Sequence, residues 1–194
     1  MERFCKVSRI ITLAPVLALF SLSMIFLFCK GIFPSFWHLT YMAMFLGALP
    51  LLAYPLQRFT PHFKHRGRDG QRTLAMIFAV SGYILSLAAN IVFSASVGMW
   101  VICLEYLISG ALILIFNKVF HIKVSAHGCG SAGPCFLLLY FGLWVPAIIM
   151  GVITFFAYFS SVKAKHHTFP QLLGGSAISI LTLFVLALIF KALI

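Results

Sequence analysis

Lys123, Ser125 and His127 fall within five residues of one another, and Gly128, Cys129, Gly130, Ser131, Ala132 and Gly133 follow at once. A cation, a hydroxyl and an imidazole at the start of an apolar run can hold an anion. Small residues let a backbone come close to a ligand, and the first turn of a helix carries unpaired N–H groups. The same run would also suit a tight polar connection between two membrane helices. Two further polar islands bear on the choice: Lys163-Ala164-Lys165-His166-His167-Thr168 downstream, and Arg68-Asp69-Gly70-Gln71-Arg72 upstream. Imidazole titrates near neutrality, with an ordinary pKa of about 6.5, which suits it to proton transfer at working pH.

The elements that carry these islands are set by composition. The chain of 194 residues is 62% hydrophobic and only 9% charged, with a mean hydropathy of +1.09. Those values lie outside the range of a soluble domain and imply an all-α, polytopic transmembrane bundle. The acids number three, Glu2, Asp69 and Glu105, against 14 Lys and Arg, for a net charge of +11. No long basic run accompanies that charge, so nucleic acid is not an expected partner; membrane lipids and a bound phosphate are. Five cysteines are scattered without metal-ligand spacing or a disulfide framework.

Apolar periodicity and breaks predict seven helices in one domain spanning 1–194, at about 10–29, 36–57, 73–93, 96–116, 130–142, 145–160 and 171–194. The first follows Arg3, Lys6 and Arg9 and is read as a retained helix rather than a cleaved leader. Connections after the second, fourth and sixth helices (58–72, 117–127, 161–170) are polar and basic, whereas those after the third and fifth are short and uncharged. Counting crossings puts the three islands and the N-terminus on one face. Only Lys30 and Lys191 of the 14 cations fall on the other. By the positive-inside rule that places the site face in the cytoplasm.

The second and third islands resemble the signature motifs of the type 2 phosphatidic acid phosphatase family of membrane lipid phosphatases. Its Pro-Ser-Gly-His pattern is similar to Val124-Ser125-Ala126-His127, and its Ser-Arg-x5-His-x3-Asp pattern to Ser160-Ser161, His167 and Gln171. Its Lys-x6-Arg-Pro pattern is matched loosely by Lys64, Arg72 and Thr73. The substitutions look like those of a divergent bacterial branch. The resemblance implies a six-helix phosphatase core plus one extra N-terminal helix, in a bacterial inner membrane, where the family habit is an outward-facing site.

The resemblance further implies a metal-independent phosphatase that removes phosphate from a lipid phosphate through a phosphohistidine, without a cofactor. His167 would be the nucleophile and His127 the acid that protonates the leaving alkoxide. Arg72, Lys123 and Lys163 would clamp the phosphoryl oxygens, with hydrogen bonds from Ser125 and the backbone at Ala126. Gln171, in place of the family aspartate, would orient His167 through its carbonyl, and Asp69 is the available carboxylate on this face. Ser161 stands where the family has an arginine, a bidentate donor that lysine replaces only as a point charge. No metal ligand set is expected, since sites for phosphate usually recruit several carboxylates. Glu105, about 18 Å along its helix from Asn117 at 1.5 Å per residue, is expected to be structural. The alternative function is a non-catalytic binder or transporter of lipid phosphates. Oligomeric state and the identity of the lipid are not readable.

Overall fold

A computed structural model of the chain describes residues 13–165 and 167–191. The expectations that concern Arg3, Lys6, Arg9, His166 and the last three residues lie outside the described residues. Nine α-helices and no strand occur among them: α1 (Ala14–Phe28), α2 (Phe36–Ala43), α3 (Leu49–Leu56), α4 (Pro61–Lys64), α5 (Gly67–Val92), α6 (Val97–Lys118), α7 (Ala126–Tyr140), α8 (Trp144–Lys163) and α9 (Phe169–Lys191). A π turn, Met44–Ala48, joins α2 to α3, so that Phe36–Phe59 forms one continuous rod.

That rod, Asp69–Val92 of α5, α6, α8 and α9 are each long and apolar enough to cross a membrane, while α1 is apolar but shorter. The protein is therefore a membrane-embedded helical bundle. Its outward face is apolar too: Ile148, Phe155, Leu181 and Phe184 are among the side chains exposed to the surroundings. That is what a helix presents when its solvent is lipid and its backbone bonds are all internal.

Helix starts lie earlier than the apolar runs suggest. α5 begins at Gly67 rather than near 73, and α7 at Ala126 rather than near 130. The reasons are the helix dipole at α5, whose N-cap Arg66 makes no side-chain cap bond, and capping at α7. Asp69 lies in the first turn of α5, where a carboxylate favours the positive end of the helix dipole. Ser125 caps α7 by accepting the Gly128 N–H at 3.2 Å. At α9 the Gln171 side-chain oxygen accepts the Thr168 N–H at 3.2 Å, the reciprocal half of a capping box. Much of what reads as polar loop is thus the first turn of a helix.

α7 sits in the middle, packed against α1, α6, α8 and, most extensively, α9. Its far end is level with its neighbours. The Cys29 thiol donates to the Phe141 carbonyl at 3.6 Å, and the Ser96 hydroxyl at the start of α6 donates to the Ile32 carbonyl. From that common plane α1 and α7, with 15 residues each, rise roughly 22 Å, whereas α6, with 22, rises roughly 33 Å.

At its other end α7 meets α9 backbone to backbone. A Cβ on Gly128 would run into the Leu172 carbonyl oxygen, and a Cβ on Gly175 into that of Ser125. The Ser125 N–H donates to the Gln171 carbonyl at 2.9 Å across the same seam. Gly175→Ala is therefore expected to lower the thermal unfolding temperature in detergent, with a loss of about 1–3 kcal/mol typical of overpacking. Gly151→Ala, whose Cβ meets only Cys135 Sγ at 3.9 Å, is the control and should be neutral or slightly stabilising. Equal melting of the two variants would remove the seam from the account.

Candidate functional site

The starts of α5, α7 and α9 and the ends of α6 and α8 gather at one end of the bundle, and the polar islands go with them. Arg72, on the second turn of α5, brings Nη2 to 3.4 Å from Nε2 of His167, the residue two before α9. A guanidinium can only donate, so Nε2 is the acceptor in this contact. The ring of His127, in the first turn of α7, lies nearly parallel to that of His167, with an interplanar angle of 9° and centroids 6.5 Å apart.

These three side chains stand at the mouth of a cavity of about 720 Å³ that runs from the polar end into the bundle. Lys123, Ala126 and Gln171 also line it, as do Gln71, Asn117, Lys118 and Ser161. Deeper walls are apolar, with Leu46, Met76, Val80, Ile113 and Leu114 among them.

Other expected residues stand elsewhere. Ser125 is buried, does not line the cavity and spends its hydroxyl oxygen on the α7 cap. Lys163 is exposed outside the cavity, with its ammonium 5.7 Å from the centre of the Phe159 ring. Asp69 is exposed and does not line the cavity; its carbonyl accepts from the Thr73 hydroxyl one turn on. The Gln171 side-chain oxygen, expected at the His167 ring, has the Thr168 N–H as its partner. The position that reads as an orienting residue is an N3 capping residue here. Among the described residues no cluster of three or more His, Cys, Asp or Glu could hold a metal.

Two residues not singled out from the sequence organise the site. Asn117 accepts the Val124 N–H at 3.1 Å and donates to the Val124 and Ile113 carbonyls at 3.0 and 2.8 Å. It pins the segment before α7, next to Lys123, to the end of α6. Tyr158 donates to the Gly128 carbonyl at 3.0 Å and shares a short hydrogen bond with Ser176, tying α8 and α9 to the turn that carries His127. The available signal was a phenol on an apolar helix, which needs a polar partner when buried.

His127 lies outside the five spans and is half-buried. Burial first, and then the facing His167, lower its pKa from the ordinary 6.5 to about 4. An anion between the rings would favour protonation instead, so the charge of the pocket follows its occupant. The unfolded chain binds more protons than the folded one between about pH 4 and 6.5, so stability falls on acidification through that window. Melting of the empty protein should drop between pH 6.5 and 4, and His127→Gln should flatten that drop. Identical pH profiles for the two would contradict a neutral, half-buried His127.

No protein-family model, curated protein or solved structure matches the chain.

Proposed function

We propose that the protein is a metal-independent membrane phosphatase that releases phosphate from a lipid phosphate. The observation that carries this reading is the grouping of Arg72, His127 and His167 at the mouth of an apolar cavity. Rings 6.5 Å apart are close enough for one phosphoryl group to touch both, since near-attack and hydrogen-bond contacts are each about 3 Å. Arg72 and Lys123 supply positive charge for the equatorial oxygens, and the starts of α7 and α9 add N–H dipoles. The apolar walls below suit an acyl or prenyl chain.

In the reaction, His167 Nε2 attacks phosphorus and the bond from phosphorus to the lipid oxygen breaks. The electron pair stays on that oxygen, which takes a proton from His127, charged by the presence of the phosphate. Water then attacks the phosphohistidine, giving its proton to His127, and inorganic phosphate leaves. Arg72 has to leave the His167 lone pair in the first step. The phosphoryl oxygens are where it goes.

His167→Ala should abolish phosphate release from a panel of lipid phosphates while leaving lipid-phosphate binding within a few fold. His127→Ala should slow it about 10²–10⁴-fold, the usual range for a lost general acid, and less for an aryl phosphate whose leaving group needs no proton. EDTA should leave wild-type turnover unchanged. Full activity of His167→Ala would end the phosphohistidine reading.

A second reading has its own support: none of the carboxylates Asp69 and Glu105 lies at the histidine pair, and Gln171 is engaged in its helix cap. A pocket so built can hold a lipid phosphate without turning it over. Binding with no hydrolysis by wild type across the panel would select this binder or transporter.

The charge bias of the sequence favours a cytoplasmic site end on either reading. With the native cysteines removed, Ser8→Cys and Ser161→Cys should both resist a membrane-impermeant thiol reagent on intact cells. Labelling of both would reverse the orientation; labelling of Ser161→Cys alone would mean that the first helix does not cross.

A further inference from the structure

The inner end of the cavity is polar. Glu105, 1% exposed, lines it together with Tyr106, Ser109 and Tyr83. The Glu105 carboxylate accepts from the Ser179 hydroxyl at 2.5 Å and lies against Gly133 of α7. Gly133 is six residues from His127, so this end sits roughly 9 Å below the histidine pair along α7. The Tyr106 phenol is 6% exposed and its oxygen has no hydrogen-bond partner. Ser21 stands near it outside bonding geometry and donates its own proton to the Ala18 carbonyl.

A buried hydroxyl without a partner costs free energy that proteins rarely leave uncompensated. Here it shares a cavity wall with a carboxylate that has acceptor capacity to spare, and the cavity opens on the proposed anion site. A guest hydroxyl answers both needs, because it can donate to Glu105 and accept from Tyr106. An ammonium could serve only the first, and a methylene neither.

We infer that the inner end of the cavity, at Glu105 and Tyr106, is a second subsite that takes a hydroxyl carried by the ligand's chain roughly 9 Å from its anionic head. This rests on the reading of the mouth as a lipid-phosphate site and narrows the ligand to a hydroxylated amphiphile. A site built to hydrogen-bond a hydroxyl discriminates strongly against an analogue without one, because its own polar groups are then left unpaired. The same chemistry could come from a trapped water, and the experiment separates the two.

Three single-chain alkyl phosphates of equal length serve as probes for the purified full-length protein in one detergent, by calorimetric titration. One has no hydroxyl, one has it about 9 Å from phosphorus, and one has it at the chain end. The second should bind at least tenfold more tightly than the first and third. Tyr106→Phe should cut that preference severalfold while leaving the plain chain's affinity unchanged, and its melting temperature should not fall, since the phenol has no partner to lose. Glu105→Gln should keep part of the preference, and Glu105→Leu none. Equal binding of all three probes would mean a water only and would overturn the subsite while leaving the headgroup site standing. Binding of none would overturn the headgroup site and the subsite with it.

Discussion

The backbone seam between α7 and α9 is the contact on which the rest depends. Two carbonyl oxygens, of Ser125 and Leu172, occupy the space that side chains would take at Gly175 and Gly128. The Ser125 N–H bonds across the seam to Gln171. That approach puts the first turn of α7 beside the residues just before α9, and the two imidazoles face each other because their helices start side by side. In lipid no hydrophobic force draws helices together, so close backbone packing through small residues has to do it.

The same seam explains why capping carries so much of the site. A helix start in a low-dielectric bundle cannot leave its N–H groups to water, and the starts of α7 and α9 meet that need locally. Ser125 turns inward to Gly128 and Gln171 back to Thr168. Polar side chains that look available for a ligand are thereby taken by the backbone. The charged and imidazole side chains that line this end of the cavity are Arg72, Lys118, Lys123, His127 and His167. An anion is the natural complement of such a set.

How far the sequence could be read follows this division. Composition and the length of apolar runs spoke plainly for a helical membrane bundle, because burial in lipid demands both. The alternation of basic and minimal connections was enough to bring Arg72, His127 and His167 together in expectation, and the structure has them in contact or nearly so. Individual roles were less legible. Ser125 and Gln171 are residue types that serve equally as ligands for phosphate or as helix caps, and spacing along the chain does not distinguish the two. Asp69 and Lys163 sit in the same islands, but both are exposed and neither lines the cavity. The polar inner end was hidden for a different reason: distance counted along α6 from Asn117 put Glu105 far from the chemistry, whereas across to α7 it lies against Gly133.

The short rise of α1 and α7 has a bearing on depth. Both start from the plane they share with α6 and stop roughly 10 Å sooner, given 1.5 Å per residue. The first turn of α7, with His127, is therefore set back from the end of α6. Attraction between charges strengthens as the surrounding dielectric falls, so charge set back from the end of the bundle acts more strongly than charge at its surface. On the proposed reading, a lipid phosphate would reach His127 with its chain already in hydrocarbon, whereas a water-soluble ester would have to shed its hydration shell with nothing to offset the loss.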